Sequence, residues 1–211
     1  VISAISPFEI YHDRYEAWFV NHKAAYWSEL LAVRTLTPWT GLGLEIGVGS
    51  GRFAGPLGIR IGMDPSSAML SYATRRGIAT VQGIAEGMPF RNASFDYALN
   101  VTTICFLSDV KAALAETYRV LKPSGHLVIG FIDRTSALGR QYEAQKSENV
   151  FYQAATFYSA EKVADLLEGS GFAEQVWVQT LFRPLSQIRE PEPVRSGSGS
   201  GAFVVVRATR S

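Results

Sequence analysis

Gly47, Gly49 and Gly51 stand at alternate positions behind Glu45 in the stretch LEIGVGSGRF, residues 44–53. Glycines this dense lose much entropy on folding and add nothing to a core, so the backbone here must turn tightly or meet something closely. A short apolar strand that ends in such a turn and opens a helix is the cradle that βαβ sheets offer to nucleotides and anions. That placement requires further parallel strands nearby.

The chain supplies them. Short apolar runs follow as GLGLEIG (41–47), IRIGMDP (59–65), ATVQGIA (79–85), FDYALNV (95–101) and HLVIGFID (126–133). Helical patterns separate them. Pro65 opens one that carries Met69, Leu70 and Ala73 and stops at Gly77. Ser108 and Asp109 cap another, with Val110, Ala113, Leu114, Thr117 and Leu121 on one face until Lys122-Pro123-Ser124-Gly125. Alternation of this kind implies a parallel sheet with helices on both faces.

The two ends differ. In residues 7–36, Phe8, Tyr11, Tyr15, Trp18 and Phe19 recur at helical spacing, as do His22, Ala25, Tyr26, Glu29, Leu30 and Val33. Thr37-Pro38 closes that helical run. Near the other end, Ser159 caps a helix with Val163, Leu166 and Leu167, and EGSGF ends it. AEQVWVQTLF (173–182) and GAFVVVRAT (201–209) read as strands. Their connection holds Pro184, Pro191, Pro193 and SGSGSG (196–201), which predicts a flexible turn joining an antiparallel hairpin.

Composition removes several function classes. The chain has 211 residues, 47% hydrophobic and 18% charged, with a formal net charge of +1 and no Lys/Arg run. A nucleic-acid partner is therefore not expected. No stretch of 18 apolar residues suggests a membrane span. No basic, apolar, small-residue leader is read at the start, so no signal peptide is expected, and the start at Val1 implies a few missing residues. Cys105 stands alone, which excludes an internal disulfide and suits a cytoplasmic, reducing setting.

Asp64, at the end of the second strand, is placed to accept ribose hydroxyls, and it also suits the start of the next helix. Gly49-Ser50-Gly51-Arg52-Phe53-Ala54 satisfies the looser dinucleotide form, so an NAD(P)-binding Rossmann oxidoreductase stays open at this point. A non-catalytic cofactor-binding regulator stays open too. Strand order separates the first from a transferase, because a final antiparallel strand inserted between its neighbours favours the transferase.

Four segments in order, LEIGVGSGRF, IGMDPSSAML, GIAEGMPFRNASFDYAL and ALAETYRVLKPSGHLVIG, together resemble the class I S-adenosylmethionine-dependent methyltransferases. The likeness is greatest to the small-molecule branch that includes the quinone-biosynthesis C-methyltransferases, and it covers roughly residues 42–182. It implies a Rossmann-like, mostly parallel sheet of seven strands with helices on both faces and a C-terminal antiparallel hairpin. It divides the chain into an N-terminal helical lid, 1–40, and a cofactor-binding domain, 41–211. The activity implied is methyl transfer (EC 2.1.1.-) from S-adenosylmethionine to a small-molecule acceptor, by in-line displacement, leaving S-adenosylhomocysteine. A monomer or homodimer is expected.

The resemblance also assigns roles. Glu45 engages the methionine amine, and Gly47, Val48, Gly49 and Gly51 pass the backbone beneath methionine and ribose. Asp64 takes the ribose hydroxyls, Pro65 and Met69 flank the adenine, and Ala85 with Glu86 meets its edge. Asn100 and Val101 approach the sulfonium, and Tyr15, in YEAWF (15–19), covers the cofactor. Three departures stand out. Ile84 replaces the acid common before Ala85-Glu86, Gly55-Pro56 cuts the helix after the glycines short, and ICFL (104–107) replaces a histidine-bearing stretch. No catalytic base is assigned. His12 and His22 lie in the lid, His126 lies at the far end of its strand, and Cys105 reads as an apolar filler. No metal-ligand spacing is present. Arg134, Tyr142 and Tyr158 fall where the family places acceptor-recognition insertions.

Overall fold

The computed structural model of the chain describes residues 5–211. Its helices are α1 (Ser6–Ile10), α2 (His12–Asn21), α3 (Lys23–Leu36), α4 (Ala54–Leu57), α5 (Ser67–Arg75), α6 (Val110–Val120), α7 (Ala137–Ala144) and α8 (Ala160–Glu168). Its strands are β1 (Gly43–Ile46), β2 (Ile61–Asp64), β3 (Ala79–Gln82), β4 (Phe95–Val101), β5 (Leu121–Ile132), β6 (Phe172–Thr180), β7 (Arg195–Ser196) and β8 (Phe203–Arg210). They form one sheet in the order β3-β2-β1-β4-β5-β8-β6-β7. The first five strands are parallel, while β8 runs antiparallel to both β5 and β6. The last strand of the chain is thus inserted between its neighbours.

Period-two alternation divides the core. Tyr97, Leu99 and Val101 of β4 face the layer built on α3 and α5, with Val33, Leu36 and Leu70. Ala98 faces the opposite layer, where Leu114 of α6 and Val163 and Leu167 of α8 cover Leu44, Leu127 and Val204. Both faces are buried, as a parallel sheet requires.

The structure corrects five expectations. The sheet has eight strands rather than seven, because two residues of the last connection, Arg195 and Ser196, pair with Gln179 and Val178 of β6. The N-terminal helical run is three helices, broken where Tyr11 and His22 leave helical backbone angles. The helix after Pro65 begins at Ser67, and Ser66 caps it by accepting the Met69 amide at 3.2 Å. Leu121 is the first residue of β5, not the last on a helix face.

The connection between β6 and β8 is also not a flexible turn. Glu192 is buried and accepts the Phe182 amide at 2.5 Å and the Arg183 guanidinium at 2.5 Å. Its own amide donates to Ser28 Oγ on α3 at 2.8 Å. Gln179 Oε1 accepts the Ser200 and Gly201 amides at 2.8 and 2.6 Å. Leu185, Ile188 and Val194 pack into the α3 layer, so the segment is a strap across the sheet. Proline and glycine content gave no hint of this, because the anchors are single side chains distant in sequence.

Ser28→Ala should leave the buried Glu192 amide without an acceptor, at a cost of about 1–3 kcal/mol. At roughly 2–4 °C per kcal/mol for a chain of this size, thermal unfolding should begin at least a few degrees lower. An unchanged melting temperature would show that the strap does not depend on this bond.

Candidate functional site: a cavity at the C-terminal ends of the parallel strands

The turn after β1 wraps onto the end of β2. The Gly47 and Val48 amides both donate to Met63 O, at 2.8 and 2.9 Å. Each glycine of the motif has a different neighbour. A Cβ on Gly47 would lie 2.3 Å from Thr103 Oγ1, and one on Gly51 would lie 2.5 Å from Ile78 Cδ1. At Gly49 it would meet only Met69 Cε at 3.4 Å and Tyr15 Oη at 3.6 Å. Gly47 and Gly51 are therefore small because the protein itself crowds them. Gly49, with φ +50°, borders open space.

That space is a cavity of about 500 Å³, within the size range of small-molecule sites. It lies beyond the C-terminal ends of the parallel strands, where open α/β sheets bind ligands. Tyr15, Gly47, Gly49, Asp64, Pro65, Met69, Ala85, Glu86 and Val101 line it. Val48, Gly51, Glu45 and Asn100 do not. Val48 packs against Gly62, and Gly51 against α5 and Ile78. The Asn100 side chain points to the α6 layer, where its Oδ1 is buried without a partner among the described residues, beside a void of about 10 Å³. Strand alternation sends Val101 to the cavity and Asn100 away from it.

Two buried carboxyl groups brace the glycine turn. Glu45 accepts the Ala54 amide at 2.7 Å, and burial pushes its carboxyl well above the usual range. Asp64 accepts the Gly49 amide on one oxygen and the Ser66 amide on the other, each at 2.9 Å. Burial outweighs these bonds and moves Asp64 up to about 6. Glu86 reaches across to the Ser108 and Asp109 amides at 2.8 and 3.2 Å, tying the loop after β3 to the start of α6.

The roof comes from three separate segments that meet at Phe8. Its ring contacts Tyr15 of α2, Phe106 after β4 and Phe151 of the 134–158 segment, at 5.7, 5.1 and 5.3 Å between centroids. Polar contacts pin the two roof helices to the floor. Glu9 accepts the Ser67 amide at 2.5 Å, opposite the start of α5. Asp13 accepts the Tyr72 hydroxyl. Glu16 accepts from Arg52 and Arg76, both at 2.6 Å. Burial would raise Glu16, but its bonds to Arg52 and Arg76 prevail and hold it below the ordinary value.

The other candidates are dispersed. His22 lines the cavity, stacked on Trp18 with centroids 5.0 Å apart. His12 is engaged with Tyr72 and Asp13 outside it, and His126 lies midway along β5 beside Thr209. Cys105 lines the cavity, but burial pushes its thiol up to about 12, which keeps it protonated. Tyr142 and Tyr158 reach the wall, and Arg134 does not. The main residue missed in the sequence is Glu29, buried on α3 and also in the wall. The signal was present: an acid at position 29 interrupts the apolar stripe of Tyr26, Val33 and Leu36.

The cavity suits S-adenosylmethionine chemically. Its floor presents the Asp64 carboxyl, able to accept from a diol, and the Gly49 backbone, which borders open space. Acids outnumber cations in the wall, Glu29, Asp64 and Glu86 against Arg14, which suits a cationic sulfonium and amine. The family described as a methyltransferase domain matches residues 44–129. A solved S-adenosylmethionine-dependent methyltransferase of Thermotoga maritima, described as a possible histamine N-methyltransferase, is 51% identical. It superposes with a TM-score of 0.95 over 97% of this chain and 98% of its own. This chain belongs to the S-adenosylmethionine-dependent methyltransferases. An uncharacterized protein of Methanocaldococcus jannaschii is 39% identical over 98% of this chain and all of its own length. A ubiquinone/menaquinone biosynthesis C-methyltransferase of Desulfotalea psychrophila is 28% identical over 70% of this chain and 72% of its own. For this methyltransferase the inserted strand β8 agrees with the family, and S-adenosylmethionine is the cofactor. Nothing supports a nicotinamide oxidoreductase or a non-catalytic regulator.

Gly47→Ala should be the more damaging of two glycine substitutions. It combines the Thr103 clash with a left-handed backbone, together about 2 kcal/mol or more. Gly49→Ala meets only the backbone penalty, about 1–2 kcal/mol. Urea midpoints should fall in that order, and the reverse order would contradict the packing described.

Proposed function

We propose that this methyltransferase binds S-adenosylmethionine along the β1–β2 side of the cavity and a small acceptor beneath the aromatic roof. The observation that carries the reading is Asp64, buried in the cavity wall with both oxygens oriented by the Gly49 and Ser66 amides. A carboxylate so held keeps lone pairs for the two ribose hydroxyls. Gly47 and Gly49 let the ligand lie against backbone, while Pro65, Met69 and Ala85 supply apolar surface to the adenine and Glu86 borders its edge. Val101 faces the methionine portion and Tyr15 covers it. Glu45, Val48, Gly51 and Asn100 act indirectly, by shaping the turn and the end of β4.

The bound cofactor supplies an electrophilic methyl group on a good leaving group. The protein's part is orientation and exclusion of water. The roof is suited to both, because α1 and α2, with the 134–158 segment, form a lid over the cofactor domain that follows residue 40. A cavity of this volume fits a small molecule better than a protein or nucleic-acid chain. A cytoplasmic setting suits the single cysteine.

S-adenosylhomocysteine should raise the melting temperature while NAD leaves it unchanged, since a ligand stabilises only the state it binds. Asp64→Ala should weaken S-adenosylhomocysteine about tenfold or more, for the loss of charge-assisted bonds worth about 1.5–3 kcal/mol each. Unchanged affinity in titration calorimetry would reduce Asp64 to a brace of the turn.

Affinity should also depend on pH. Asp64 titrates near 6 in the free protein, and the ionised form is the better acceptor. Binding should be full above about pH 6 and weaken as pH falls through that value. A flat profile between pH 5 and about 7 would remove Asp64 from the contact.

Glu16→Ala should loosen the roof by unpairing Arg52 and Arg76, and should speed S-adenosylhomocysteine release in stopped-flow measurements. Equal release rates would separate these ion pairs from lid closure.

A further inference from the structure

Glu29 is 4% exposed, and its carboxyl makes no hydrogen bond or ion pair with any described residue. It lies on the face of α3 that packs against the sheet, among Ala25, Tyr26, Ala32 and Val33. It is nevertheless in the cavity wall. A buried, unpartnered acid destabilises a fold, and an apolar side chain of similar volume would serve packing better. The position therefore needs a reason beyond packing, and its access to the cavity supplies one.

The surroundings indicate what the carboxyl meets. The charge of Glu29 bears on the phenols of Tyr15, Tyr142 and Tyr152, which line the cavity from α2 and the 134–158 segment. Burial, the largest cause at each, keeps all three protonated. Trp18, Phe19 and Phe157 add further aromatic surface to the same cavity. His22 of α2 lines it, with Nδ1 directed to Trp18 O at 3.2 Å. Leu185 closes it from the strap. The remaining charged side chains of the wall are Arg14, Asp64 and Glu86, so acids outnumber cations. Aromatic faces around a carboxyl receive a cation, because ring quadrupole and carboxylate both attract positive charge.

We propose that Glu29 is the polar anchor of the acceptor pocket and that the acceptor is an amine, held as an N–H-bearing cation between the Glu29 carboxyl and the aromatic wall. This rests on the reading of the cavity as a methyl-transfer site, and it adds the substrate class and the residue that selects it. The free protein holds a proton on Glu29 up to about pH 8, burial being the only cause of the shift. An incoming ammonium ionises the carboxyl, and one proton leaves to solvent. Methyl transfer to that nitrogen would then require the Glu29 carboxylate to take one N–H proton back, which frees the lone pair that attacks the methyl carbon as the bond to sulfur breaks. An alcohol of the same shape releases none.

The test uses the full chain saturated with S-adenosylhomocysteine and two near-isosteric probes, phenethylamine and 2-phenylethanol, in titration calorimetry. The wild type should bind the amine roughly tenfold or more tighter than the alcohol, as a charge-assisted contact requires. In E29Q that preference should vanish, with alcohol and S-adenosylhomocysteine affinities within about twofold of wild type, since neither contact involves the carboxyl. At pH 6.5, heats measured in buffers of different ionisation enthalpy should show about one proton released with the amine by wild type and none by E29Q. E29M, which should melt higher because it removes an unpaired buried acid, provides the same comparison if E29Q does not fold. An alcohol bound as tightly as the amine, or a preference that survives in both variants, overturns the proposal. Failure to bind S-adenosylhomocysteine at all would instead overturn the reading of the cavity.

Discussion

The hydrogen bond from the Gly49 amide to the Asp64 carboxylate, 2.9 Å long, joins the turn after β1 to the end of β2. The rest of the site is arranged around that junction. Two further amides of the turn, Gly47 and Val48, converge on Met63 O, so the loop is moulded onto the neighbouring strand. Ser50 O accepts at 2.6 Å from Arg76, the residue that caps the C-terminal end of α5, which ties the next turn of chain to the helix beyond β2. Asp64 is thereby held rigid, buried and directed at the cavity. An acid so enclosed holds its proton more tightly than a free one, and it keeps its acceptor capacity for a ligand.

The roof depends on the same floor. Its acids go to α5 and its margin: Glu9 meets amides at the helix start, Asp13 meets Tyr72, and Glu16 bridges Arg52 and Arg76. Its aromatic rings go to the cavity, where Phe8 gathers Tyr15, Phe106 and Phe151. Apolar contact gives the roof its adhesion and the ion pairs fix its placement, a division that follows from the non-directional character of one and the geometry of the other. Arg52 belongs to the glycine turn itself, so the lid is latched to the loop that the cofactor would touch.

The strap from Arg183 to Val194 completes the far side of the cavity. Ser28 and Glu29 are neighbours on α3 with opposite circumstances. Ser28 receives the strap's Glu192 amide and is satisfied, while Glu29 has the cavity. One turn of helix thus fixes the enclosure and presents the group enclosed by it.

Much of this was legible from residue order. The period of two in the strands, the period near 3.6 in the helices, and the glycines behind Glu45 predict a parallel α/β sheet with its ligand crevice at the first turn. The caps at Asp109 and Ser159 follow from local chemistry that acts over three residues. Asp64 was legible for the same reason, as it follows a strand and precedes a helix. The division among the three glycines was not, because it is set by Thr103, Ile78, Met69 and Tyr15, which approach from other parts of the chain. Nor was the ordering of the proline-rich strap, held by the long-range contact between Ser28 and Glu192. Whether an acid on an apolar stripe is paired, exposed or open to a cavity depends on what packs opposite it. For Glu29 that answer comes from α2, the 134–158 segment and the strap together, and only the folded chain brings them to one place.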